Sequence, residues 1–281
     1  MSVAYRITEV PGLFSEGVDC GSEPTPLRLR AARERLLGES LGARAARMAR
    51  VGVAMASPRR LLNALAFFEL MARDRAVGAA ALPDPCAALP RPDGFCGAAP
   101  DISATTLMQA YAQGLHARAP FGAASWWSPA TRRLRDLRAA PAASPDMTAS
   151  FDNDADAIVA RCALAALRRD PLTALTPDLK RAHALLLDRG YAHAWRVAGA
   201  QGYGLAIGGV FIVLGLDGAH EAARGAIAAL EAELRRRNFR LLDVTFVVDA
   251  LGADFADPTP RAAYLDMLAQ SPDASAAARW R

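Results

Sequence analysis

Along the 281 residues the spacing of apolar positions changes period part-way. From Leu27 to about Phe68 the apolar residues recur at helical intervals: Leu29, Leu36, Leu37 and Leu41, then Leu61, Leu62, Leu65 and Phe68. That spacing predicts two amphipathic helices, broken near Ser57-Pro58 because proline has no amide to donate to the preceding turn. Ahead of them, Pro11, Gly12, Gly17, Gly21 and Pro24 fall too close together for a regular element. After them, the five prolines of residues 79–100 read as a linker and mark a boundary. Ser103 then caps a predicted helix over 104–113 that Gly114 ends. Thr176-Pro177 starts a second helix over 178–189, closed by Gly190. Residues 192–197 and 205–214 read as strands, and 219–237 as a long helix with Leu230 and Leu234 inward. Residues 241–248 read as another strand. Strand, strand, helix, strand implies a sheet with a crossover helix, and the expected class is α+β.

Composition narrows the class further. At 52% hydrophobic and 22% charged residues the chain is near the globular average, which excludes wholesale disorder and fibrous repeats. No run approaches the roughly 18 apolar residues of a spanning helix, and no basic, then apolar leader opens the chain. A cytoplasmic protein with no membrane partner is expected. Cys20, Cys86, Cys96 and Cys162 lack metal or redox spacing and read as reduced thiols.

Charge alters this picture at one place. Lys180 is the only lysine, and alanine exceeds a fifth of the chain, a pairing attributable to a GC-rich genome. Arginine is nevertheless concentrated: Arg28, Arg30, Arg33, Arg35, Arg44, Arg47, Arg50, Arg59 and Arg60 face only Glu34 and Glu39 in that block, on a chain of net charge +4. Such a block suits phosphate, because guanidinium binds it bidentately and releases counterions. A solvated helix face is the plainer alternative.

Few residues announce chemistry by spacing alone. His116, His183, His193 and His220 are too scattered for a metal site. No G-x-S-x-G elbow or phosphate-binding loop occurs. Residues 201–206 fit the Q-x-x-G-x-A pattern of acyl-CoA-dependent acetyltransferases, but they precede a strand where that pattern opens a helix, so a hairpin turn is expected. Trp126-Trp127 are adjacent in a chain of four tryptophans and could pack or stack on a ligand. Asp243 falls in an apolar strand, where an unpaired carboxylate is costly, so it is paired, at a strand end or functional.

Several of these residues recur together in a known order. Pro92-Asp93-Gly94, Asp101-Ile102-Ser103, Ala110-Tyr111 and Gly114-Leu115 are followed by an intact Trp126-Trp127-Ser128-Pro129. Leu175-Thr176, Gly190-Tyr191-Ala192-His193, Leu241-Leu242-Asp243 and Pro260-Arg261 with Tyr264-Leu265 complete the run. In this the chain resembles the leucyl/phenylalanyl-tRNA–protein transferases over roughly residues 87–268. The resemblance implies an N-acetyltransferase-like fold that takes an amino acid from aminoacyl-tRNA, in place of acyl-CoA, and joins it to an amine. It also marks departures. The family's substrate-binding glutamate is replaced by Leu214 and the glutamine of its D-C-Q by Thr245, while two tryptophans become Arg118 and Ala174. Asp243 and Phe211 are kept.

From the resemblance we expect Asp243 and Thr245 to be catalytic, and Phe211, Trp127, Tyr203, Leu214, Arg118 and Ala174 to contact substrate. Arg118 in an aromatic's place implies a polar or acidic group nearby. Leu214 cannot accept a hydrogen bond, and Thr245 is too short to reach as glutamine does; both predict altered substrate choice. The expected partners are aminoacyl-tRNA as donor and an amine acceptor, a protein N-terminus or a small molecule, with no metal and no other cofactor. Arg28, Arg35, Arg44 and Arg47 are the expected phosphate contacts. The expected organisation is a basic, mostly helical extension (1–85), a small subdomain (86–150) and an N-acetyltransferase-like mixed sheet with flanking helices (151–281). Two other functions remain open: a catalytically inactive binding protein, and an acyl-CoA-dependent N-acyltransferase.

Overall fold

The computed structural model describes residues 27–56, 65, 67–74, 81–139, 148–270 and 280, with backbone only for 27–30. Cys20, Arg59, Arg60 and the expected break at Ser57-Pro58 lie outside these residues.

The fold is α+β, two sheets with helices packed against them. The larger, seven-stranded sheet is built around a hairpin of β7 (Ala200–Ile207) and β8 (Val210–Gly218). On one side lie β6 (Ala192–Val197) and β5 (Ser150–Phe151); on the other β9 (Leu241–Asp243), β4 (Thr131–Asp136) and β10 (Asp257–Pro260). Every pair is antiparallel except β8 with β9, which are parallel and joined by α6 (His220–Arg236). This is the expected crossover, with Leu230 and Leu234 fully buried beneath the sheet. A smaller sheet holds β1 (Phe95–Ala98), β3 (Ser125–Trp127) and β2 (His116–Arg118), in that order.

Local signals place the helices. In α3 (Ala104–Ala112) Ser103 Oγ accepts from the Thr106 amide at 3.3 Å, and Gly114 turns the chain with φ +79°. α5 (Pro177–Asp188) is capped likewise by Thr176 Oγ1 on the Leu179 amide at 3.4 Å. Between them, α4 (Ala155–Arg169) lies across β7 and β8. Strand β9 leads into α7 (Val248–Leu251), and α8 (Arg261–Ala269) follows β10.

Several expectations are corrected. The first helical segment is broken earlier than expected, into α1 (Leu27–Leu37) and α2 (Leu41–Met55), because Ser40 Oγ captures the Ala43 amide and starts a new helix. The proline-rich stretch is no bare linker, since it carries β1, paired with β3. Residues 205–214 are not one strand but parts of two, turning at Gly208 and Gly209. Residues 201–206 are no turn: they run mid-strand, with glycines because aromatic rings lie against them. A side chain at Gly202 would meet Trp195 at 2.5 Å, and one at Gly204 would meet the Phe211 ring. The last strand stops at Asp243, five residues short, because its carboxylate accepts the Thr245 amide at 2.9 Å and turns the chain.

The sheet separates two cores. Val210, Ile212 and Tyr203 face the core shared with α3, α4 and α5, whereas Phe211, Val213 and Trp195 face the one under α6. Trp280 joins that second core, stacked on His193 at 3.9 Å with its amide donating to Asp152.

Candidate active site

The two central strands carry an irregularity that shapes the site. Tyr203 pairs with Gly215 and Gly204 with Val213, so Leu214 is an extra residue, a β-bulge on β8. A bulge breaks the strict alternation of faces, and here Leu214 and Gly215 both line one cavity of about 60 Å³. Tyr203 and Cys162 lie where any side chain on Gly215 would have to go, which keeps that wall thin.

The cavity sits where the small sheet meets the large one. Arg118 and His116 come from β2, Tyr111 from α3, Cys162 from α4, Ala174 from the turn after Pro171–Thr173, and His183 from α5. Four residues expected to contact substrate, Tyr203, Leu214, Arg118 and Ala174, therefore converge there. Phe211 and Trp127 do not line it. The pleat turns Phe211, fully buried, to the opposite face of β8. Trp127 packs with Phe67 and Phe95, its indole donating to Ser125 Oγ at 2.8 Å, and the Arg118 guanidinium lies 5.5 Å above its ring. That ring holds Arg118 in place by cation–π attraction.

Electrostatically the cavity is neutral to positive. No Asp or Glu lines it, and among the described residues none comes within ion-pair distance of Arg118. Its polar neighbours are instead histidines. His183 Nδ1 lies 3.0 Å from the Tyr203 hydroxyl, and its Nε2 is buried without a partner among the described residues, while the His116 ring is bonded to the Trp127 backbone. Burial pushes His183 down to about 4 and His116 well below its usual 6.5, so both rings are neutral near pH 7. Burial raises the Cys162 thiol, leaving it protonated and inert.

Asp243 and Thr245 lie together behind this cavity. Asp243 is fully buried at the end of β9 and does not line it. Its Oδ1 accepts from the Thr245 amide and from Thr245 Oγ1 at 2.5 Å; its Oδ2 accepts from Arg132 Nη1 at 3.2 Å. Arg132 also donates to the Gly114 carbonyl at 2.6 Å and lies 4.5 Å over the Tyr264 ring. Phe246 connects the two places, 5.5 Å from the Arg132 guanidinium and 4.4 Å from the His116 ring. Asp243 is thus both paired and at a strand end.

Arg132, His116 and His183 were not singled out by the sequence reading. For Arg132 a signal existed: in Thr131–Asp136 it shares the inward parity of Leu134, and an inward arginine needs a buried partner.

Two arginines of the basic block are used within the chain. Arg33 on α1 bonds Asp188 at 2.6 Å and Asp156 at 2.8 Å, tying α1 to α5 and α4. Arg47 is buried and held by both oxygens of Glu39. Arg35 and Arg44 are exposed, while the Arg28 side chain is outside the described residues. Among the described residues no His, Cys, Asp and Glu group suits a metal ion, and no helix is long and apolar enough to cross a membrane.

A family model described as leucyl/phenylalanyl-tRNA protein transferase matches residues 131–269, the span from β4 to α8. The leucyl/phenylalanyl-tRNA–protein transferase of Azotobacter vinelandii is 31% identical over 208 residues, covering 69% of this chain and 92% of that protein. Those of Shewanella denitrificans and Alcanivorax borkumensis are 31% and 30% identical, over 65% of this chain and 84% and 81% of their own lengths. Identity at this level across nearly the whole of a relative shows that the chain belongs to the leucyl/phenylalanyl-tRNA–protein transferase family.

Proposed function

We propose that the protein transfers an amino acid from aminoacyl-tRNA to an amine, with a substrate choice that differs from the one its relatives' names describe. The observation that carries this is the convergence of Tyr203, Leu214, Arg118 and Ala174, from four separate elements, on one cavity in a chain of that family. The difference in choice is supported by the lining itself. Leu214 offers no hydrogen bond and Arg118 brings a cation.

In the reaction the acceptor nitrogen attacks the ester carbonyl of the charged tRNA. The new C–N bond forms, the C–O bond to the terminal ribose breaks, the amine loses a proton and the ribose oxygen gains one. Asp243 acts as a positioning residue: with both oxygens engaged, it fixes Thr245 on one side and Arg132 on the other. The Thr245 hydroxyl gives its proton to Asp243 and accepts from the Arg133 amide at 2.8 Å, so its direction is set.

Incubating the protein with charged tRNA and a panel of amines is expected to yield a conjugate. Thr245→Val is expected to lower kcat at least about tenfold while KM for charged tRNA holds, with Thr245→Ser restoring most of it. No transfer from any aminoacyl-tRNA overturns the proposal. It favours a second reading, a binding protein without chemistry, for which the saturation of Asp243 by its own chain is the motive. Residues 201–206 spend their amides in the ladder of β6, β7 and β8, which gives acyl-CoA transfer no phosphate cradle there.

A further inference from the structure

Among the described residues Arg118 is the only charged one lining the cavity, and it has no counter-charge. Asp170 and Asp93 favour its charge only from beyond ion-pair distance, and burial works against that charge. Guanidinium nonetheless stays protonated in proteins, so a half-buried cation is left facing a cavity with no negative charge on its lining. Such a group is costly unless something neutralises it.

One further group on the lining awaits an acceptor. His183 is 2% exposed and its Nε2 touches no partner among the described residues. When the Tyr203 hydroxyl donates to Nδ1, 3.0 Å away, the proton of the neutral ring sits on Nε2 and can be donated. One cation and one N–H donor, with no fixed negative charge, define a small anion site. The planar fork of an arginine matches a carboxylate, and the alanines and Leu214 around it suit a short methylene stem. The α-ammonium of an aminoacyl ester finds no acceptor charge here.

We infer that this cavity takes a carboxylate, carried by the side chain of the tRNA-borne amino acid or by the acceptor, with Arg118 as its charge partner. His183 adds a hydrogen bond. The inference rests on the transferase reading only for the carboxylate's source.

Butyrate and its neutral isostere butyramide test the site directly, by thermal shift at matched ionic strength. Butyrate is expected to stabilise the protein and butyramide not. Arg118→Met is expected to weaken butyrate binding at least about tenfold, the scale of one charge-assisted hydrogen bond, with Arg118→Lys in between. Equal shifts from both probes, or unchanged butyrate binding in a folded Arg118→Met, overturn the inference. Two transfer series then locate the carboxylate. In one, glutamyl- or aspartyl-tRNA competes with leucyl-tRNA for a single amine. In the other, leucyl-tRNA meets peptides beginning with Asp, Glu, Arg or Lys. The series whose acidic-to-other ratio of kcat/KM falls about tenfold or more in Arg118→Met identifies the source. Transfer with no acidic preference in either series overturns the inference and leaves the transferase reading intact. Butyrate binding without transfer from any aminoacyl-tRNA does the opposite.

Discussion

Two arginines on strands either side of the cavity, Arg132 and Arg118, are placed in opposite electrostatic circumstances. Arg132 on β4 is 1% exposed and answered by Asp243, the Gly114 carbonyl and the Tyr264 ring. Arg118 on β2 has only the Trp127 ring beneath it and a cavity beside it. Burial of a charge is thus no guide to its role. A charge whose partners come from its own chain holds elements together, and one whose partners are missing is available to a ligand.

The widest separation between the two regions is expected in stability. Asp243→Asn leaves Arg132 buried beside a neutral amide, and loss of one partner of a buried pair costs about 3–5 kcal/mol. Arg118→Met removes a cation without a partner and is expected to leave the urea midpoint level or raised; a loss as large as that of Asp243→Asn would show that Arg118 is structural too. A somewhat smaller effect is expected from acid. Burial lowers His183 to about 4 in the fold, against about 6.5 unfolded, so between these values the unfolded chain binds the proton and the native one does not. The stability that the neutral ring contributes is complete above about pH 6.5 and is lost as pH falls towards 4, by roughly 3 kcal/mol. Unfolding free energies measured from pH 7 to 4 in wild type and His183→Gln check this: the variant's slope is expected to be shallower. The smallest effect concerns tRNA. Arg35→Glu with Arg44→Glu is expected to weaken binding and flatten its salt dependence by about one unit for each phosphate no longer neutralised, with the fold intact. Arg47→Glu is expected instead to unsettle α2, because it breaks the buried pair with Glu39. Equal salt slopes for wild type and the exposed double variant would assign the block to packing alone.

What was legible in the chain follows from the range of the forces involved. Caps act within four residues, so Ser103, Thr176 and Gly114 announced their helices, and the crossover helix showed through its own periodicity. The break at Ser40 was equally local but was masked by continuous apolar spacing on either side. Gly202 and Gly204 read as a turn because nothing nearby in sequence indicates that Trp195 and Phe211 will cover them. The site divided in the same way. Resemblance marked Leu214, Tyr203, Arg118 and Ala174, which no spacing connects, yet it could not tell that the pleat turns Phe211 away. The pairing of Arg132 with Asp243 spans 111 residues and was open to sequence reading only through strand parity.

The aromatic rings seated over Gly202, Gly204 and Gly215 also bear on how this lineage can change. Those three positions admit no side chain without displacing Trp195, Phe211 or Tyr203, so a substitution there is costly to the sheet. Leu214, the extra residue of the bulge, pairs with no partner on β7 and opens onto the cavity. Within the central hairpin Leu214 is therefore a cavity-lining position whose side chain can change at little cost to the sheet. A change there reaches the cavity while the scaffold persists.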